Sequence, residues 1–89
     1  MPSTASSVRT PSHVSTDSIF NAAFAVPRDP RSAEYKAGVR AALVFRIEGR
    51  RIAKLYAAGT AQDDAYHAGI AEGNALWRAA AANAQEVAA

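Results

Sequence analysis

Apolar residues recur at helical spacing along most of this chain. Ile19, Phe20, Ala23 and Phe24 follow the polar cluster Ser15, Thr16 and Asp17, any of which can cap a helix start. Pro27 stops the pattern, since the residue before a proline avoids the helical region. A short helix is predicted over about 17–25. Alone in water it is too short to persist, so its two phenylalanines must dock on something.

A longer pattern follows. Asp29 can cap it and Pro30 fits the first helical position, while Gly49 suits the left-handed residue beyond its end. The helix should span about 30–48. At about 100° per residue, Tyr35, Gly38, Val39, Ala42, Leu43 and Phe45 share a broad face, widened by Val44 and Ile47. Arg46 projects into the middle of that face. Three roles are open to it: pairing with Glu72 or Asp64, snorkelling its head into water, or serving a binding surface. The stretch 50–58 reads equally as a helical turn or an extended connector.

The last helix should begin near 61, capped by Thr60 with Asp63 three residues on, and run to about 82 before fraying through 84–89. Asp63 and Asp64 suit the positive end of its dipole. Tyr66, Gly69, Ile70, Gly73, Leu76, Trp77 and Ala80 fall on one face. Each glycine weakens the helix by up to about 1 kcal/mol relative to alanine. Their place in the apolar stripe explains them: they admit close helix approach against Ala37, Gly38, Ala41 and Ala42. The expected fold is all-α: an antiparallel hairpin of helices 30–48 and 61–82, packed at Gly38, Ala42, Tyr66, Gly69, Gly73 and Trp77, with the first helix over its open groove.

Composition narrows the classes. The stretch MPSTASSVRTPSHV offers few apolar residues, so residues 1–14 are expected to be a disordered tail before a single domain over 15–83. That leaves a core near the low end of what stands alone. With no cysteine there is no disulfide or thiol chemistry. No signal-peptide pattern or 20-residue apolar span is present, so a cytoplasmic protein is expected. The abundance of Ala and Arg suggests a GC-rich bacterium, or a mobile element within one.

Catalysis finds little footing. His13 lies in the tail and His67 on the polar face. Asp63, Asp64 and His67 share a helical neighbourhood but fall short of the four ligands of a structural metal site. No phosphate loop is present. The expectation is no enzyme, no cofactor and no metal.

Charge is segregated. Residues 28–54 carry eight bases against three acids, a net of +5, and residues 55–89 carry one base against four acids, a net of −3. Solvated helix faces produce such a pattern, and so does a surface for an anionic partner. The candidate partner-binding residues are Arg40, Arg46, Arg50, Arg51, Lys54 and Tyr56, with the cations gripping phosphate and the aromatic ring offering a stacking surface.

One layout has a counterpart elsewhere. Tyr35-x-x-Gly38, Gly49, Leu55-Tyr56-x-x-Gly59-Thr60 and Asp64-Ala65-Tyr66-x-x-Gly69-x-x-Glu72-Gly73 resemble the ribosome modulation factor family, small basic two-helix proteins, over about half the chain. The resemblance implies a helical pair that binds ribosomal RNA and inactivates ribosomes. Lys54-Leu55 stands where that family has Cys-Pro before tyrosine, and Tyr66 and Ile70 replace tryptophans. In size and style the chain also resembles the small accessory proteins of phages and mobile elements, anti-CRISPR inhibitors among them. That likeness implies a non-enzymatic inhibitor docking on a host nucleoprotein complex. A third expectation is a helical subunit that self-associates into a homo-oligomer through its excess apolar surface.

Overall fold

A computed structural model describes the backbone of residues 15–88 and the side chains of residues 15–84. The expected tail over 1–14 lies outside the described residues. The protein is all-α, and no strand occurs among the described residues. Helix α1 spans Thr16–Ala25, α2 spans Ala33–Leu43 and continues as a π-helical turn over Val44–Glu48, and α3 spans Ala61–Ala88. The fraying expected from residue 84 does not occur before Ala88.

Each start follows from local chemistry. The Ser15 hydroxyl accepts from the Ser18 amide, and the Ser18 hydroxyl accepts from the Ser15 amide in return, closing a capping box. Helix α2 is capped by Ser32, which accepts from the Tyr35 amide at 3.1 Å. The expected cap, Asp29, lies four residues before that helix begins; Pro30 and Arg31 precede it as irregular backbone. Thr60 caps α3 as expected, accepting from the Asp63 amide. Gly49, at φ 76°, takes the left-handed position that ends α2, and its amide bonds the Phe45 carbonyl.

The two long helices pack at the expected glycines but run parallel, not antiparallel. Along α2 from Tyr35 through Val39 and Ala42 to Arg46, contacts on α3 advance from Gly69 through Gly73 to Asn74 and Trp77. The hairpin expectation assumed a tight return. The connector over 49–60 is instead extended, with a reach of about 40 Å, enough to travel back along the ~24 Å of α2 and its π turn. It runs beside α3, with the Ala53 carbonyl accepting from the Tyr66 hydroxyl at 2.7 Å.

The seam has an internal two-fold character. Tyr35-x-Ala37-Gly38-Val39 and Tyr66-x-Ala68-Gly69-Ile70 are the same pattern thirty-one residues apart. A Cβ on Gly38 would collide with the Tyr66 carbonyl and lie 2.9 Å from the Ile70 nitrogen. A Cβ on Gly69 would collide with the Tyr35 carbonyl and lie 3.0 Å from the Val39 nitrogen. The contacts are reciprocal, each glycine seating the other helix's tyrosine carbonyl. Val39, Ala42, Leu43 and Tyr66 are buried along this seam. Burial of each large member contributes about 1.5–3 kcal/mol.

The π turn corrects one side-chain placement. Widening one turn moves the residues beyond it around the axis, so α-helical phasing fails past Leu43. Phe45, expected on the packed face, is 44% exposed, while Arg46 still reaches α3 with its side chain exposed.

Helix α1 runs opposite to both others. Thr16 meets Glu48, Asp17 meets Arg40, and Arg28 beyond its end meets Glu72. Its phenylalanines are half-buried, with ring centroids 4.9 Å apart. Cations cover them: Arg40 lies 4.5 Å over Phe20, and Arg28 and Lys36 lie 4.6 and 5.5 Å from Phe24.

Candidate docking surface

The connector carries three exposed cations within five residues. Arg50, Arg51, Ile52, Ala53, Lys54 and Leu55 are all exposed in sequence order. Ile52 is 36% exposed and Leu55 54%, with Phe45 beside the start of the strap. Two of the cations have long ion pairs: Arg50 lies 3.9 Å from Glu48, and Lys54 lies 4.0 Å from Asp63. Among the described residues, Arg51 has no ion pair at salt-bridge distance. The strap therefore presents exposed, only loosely paired positive charge interleaved with apolar side chains.

The strap is held from beneath. Tyr66, buried at 2% exposure, donates to the Ala53 carbonyl, and the Tyr56 ring meets it edge-on at 5.5 Å. Burial raises the Tyr66 hydroxyl above its ordinary pKa, with a lesser contribution from Tyr56. A niche of about 160 Å³ lies under the strap, lined by residues that include Ile52, Asp63, His67 and Ile70. The His67 ring nitrogen is 2.9 Å from the Asp63 backbone oxygen and 3.4 Å from its carboxylate. No group of three or more His, Cys, Asp or Glu among the described residues is placed to hold a metal, so Asp64 does not complete a set with that pair.

Of the six residues expected to meet a partner, the structure brings Arg50, Arg51 and Lys54 together and separates the others. Arg40 faces α1, its guanidinium 2.8 Å from Asp17 and over the Phe20 ring. Tyr56 is half-buried, its ring in a T-shaped contact with Tyr66. Arg46 pairs with neither Glu72 nor Asp64: its Nε donates to Asn74 at 3.0 Å, and it lies 5.1 Å over the Trp77 ring. Trp77 is thus half-buried under a cation and not a core filler. Ile52 and Leu55 were not among the expected contact residues. Their exposure follows from the extended form of 50–57, the stretch whose pattern fitted a helix or a connector equally.

Two acids of α3, Asp63 and Glu72, are buried or half-buried, while Asp64 is exposed. Glu72 receives both guanidinium nitrogens of Arg28 at 2.9 Å and the Tyr35 hydroxyl. The Arg28 hydrogen bonds hold the Glu72 carboxyl below its usual range, burial opposes this, and Tyr35 adds to it. Burial, followed by the Glu72 contact, raises Tyr35. Arg28 thus neutralises Glu72 internally, and this carboxylate is not available to the strap cations.

No helix among the described residues is long and apolar enough to cross a membrane. Comparisons with protein-family models, with curated proteins and with solved structures find no match.

Proposed function

We propose that the chain is a non-enzymatic binding protein that docks its connector on a host nucleoprotein complex and obstructs it, in the manner of an anti-CRISPR inhibitor. One observation supports this reading above others: Arg50, Arg51 and Lys54 stand exposed beside Ile52 and Leu55 on one strap, with only long ion pairs from Arg50 to Glu48 and from Lys54 to Asp63. Cations give long-range attraction to an anionic target, and apolar neighbours give short-range burial once contact is made. The test is purification of the tagged protein with a reconstituted CRISPR effector complex, followed by a target-cleavage assay. Co-elution with loss of cleavage supports the reading; cleavage undisturbed by excess protein rejects it.

A second reading is a ribosome-binding factor of the modulation type. It is favoured by the position of Tyr35, Gly38, Gly69 and Gly73 at the closest helix approach, which makes the spacing shared with that family a packing requirement. A shared scaffold does not by itself carry a shared target. Co-sedimentation with ribosomes that weakens as salt rises distinguishes this reading from the first.

A further inference from the structure

The seam between α2 and α3 is built from two copies of one recognition surface. Tyr35, Gly38 and Val39 on one helix occupy the same relation to their partner as Tyr66, Gly69 and Ile70 do on the other. Nothing in such a seam requires both helices to come from one chain.

The link between them is loosely held. Residues 50–55 of the connector are exposed throughout. Its inward attachments are the Tyr66–Ala53 bond, the distant Lys54–Asp63 pair and the Tyr56–Tyr66 ring contact. Lifting it away gives up little buried surface. The seam itself holds Val39, Ala42, Leu43 and Tyr66, all of the buried apolar side chains among the described residues.

The connector's geometry makes the choice concrete. A parallel pair within one chain needs a return along the whole of α2. Two bodies placed side by side and inverted need only a sideways crossing: the end of α2 in one body then stands next to the start of α3 in the other.

From these three observations we propose that two copies of this chain exchange α3. Each α1–α2 body then receives Ala61–Ala88 from its partner, and the residues 49–60 act as the hinge. The exchanged dimer recreates every seam contact, including the bonds of Glu72 to Arg28 and Tyr35 and of Asn74 to Arg46. The partner that fits the α2 surface is a second copy of this chain. The proposal is independent of the docking function of the strap.

Two preparations carrying different affinity tags test it. They are mixed either folded, or after joint denaturation and refolding at about 100 μM, and hybrids are captured through one tag. Exchange requires the seam to open, so hybrids are expected after joint refolding and not on brief mixing of folded protein. Light scattering should show the refolded species at twice the chain mass, with unchanged helical content. Hybrids that form at once on mixing indicate simple surface association, for instance through the apolar groove lined by Ile19, Ala22, Leu76 and Ala80, and overturn the proposal. A monomer at every concentration, before and after refolding, overturns it as well. A second variant removes residues 51–56. Six connector residues then reach about 20–22 Å at full stretch, short of the ~24 Å of α2 and its π turn along which the strap must return. This variant should be a dimer at all concentrations; a folded monomer of native helicity would count against exchange.

Discussion

The backbone of Gly38 rests directly against the carbonyl oxygen of Tyr66, with no room between them for a methyl group. The neighbour is helix backbone, which cannot turn aside as a side chain can. Gly38→Ala must therefore push α2 and α3 apart, and the symmetric contact makes Gly69→Ala do the same. Helix propensity alone would reward each change by about 1 kcal/mol. Overpacking of this kind costs about 1–3 kcal/mol, more where backbone is met, so net destabilisation is expected. Thermal melts followed by circular dichroism should show a lower Tm for both. A Tm equal to that of the wild type would mean that the seam is looser than described.

The arrangement at Glu72 predicts acid sensitivity. Its folded pKa lies below the ordinary glutamate value, mainly through Arg28. The corresponding stability is fully present above the unfolded value and is lost as pH falls through the lowered folded value. Urea unfolding from pH 6 downward should show midpoints declining across and below the ordinary glutamate range. Glu72→Gln should be less stable at neutral pH and show a shallower decline. An equally steep decline in that variant would assign the acid response to other carboxylates.

Much of this was legible in the sequence, and the failures have physical causes. Apolar spacing located all three helices, capping groups located the starts of the first and third, and glycines inside an apolar stripe located the seam. The direction of the pair was not legible, because Gly38 and Gly69 permit close approach in either orientation. Direction depends on whether 49–60 coils or extends, and Arg50–Leu55 fits both patterns. The repeat of Tyr-x-Ala-Gly at 35 and 66 was the available clue, since like surfaces related by a two-fold along the helix axes pair in parallel. Phe45 was misplaced for a different reason: constant angular spacing has no means of registering a π turn. Arg40 looked like a free cation because sequence does not reveal that Asp17 and Phe20 cover it.

The bond from Tyr66 to the Ala53 carbonyl should govern how often the strap lifts. A hydrogen bond of this kind contributes about 1 kcal/mol net. Tyr66→Phe keeps the buried ring and removes only the donor. Opening of the strap should become about five-fold more frequent. Limited trypsin digestion reads this out, because Arg50, Arg51 and Lys54 are the cleavage sites on the strap. Cleavage there should accelerate by a similar factor while global unfolding changes little. An unchanged rate would mean that the strap is held by its side-chain packing and not by this bond.

Charge and apolar surface on the strap should separate in their effects on the captured complex. Arg50, Arg51 and Lys54 lie outside the seam, so the triple change to glutamate should leave Tm within a few degrees of wild type. If these cations meet phosphates, the dependence of log affinity on log salt should flatten by about 2–3 units, roughly one for each phosphate no longer neutralised. Leu55→Ser and Ile52→Ser remove apolar surface without adding charge and should weaken capture without lowering the number of phosphates engaged. Binding measured from about 50 to 300 mM salt distinguishes the two. A target that carries its negative charge on protein carboxylates should give a shallower wild-type slope and smaller losses on charge reversal. If the triple variant binds as tightly as wild type at physiological salt, the strap is not the docking surface. Exposed Phe45, at the end of α2 beside Ile47, then becomes the site to mutate next.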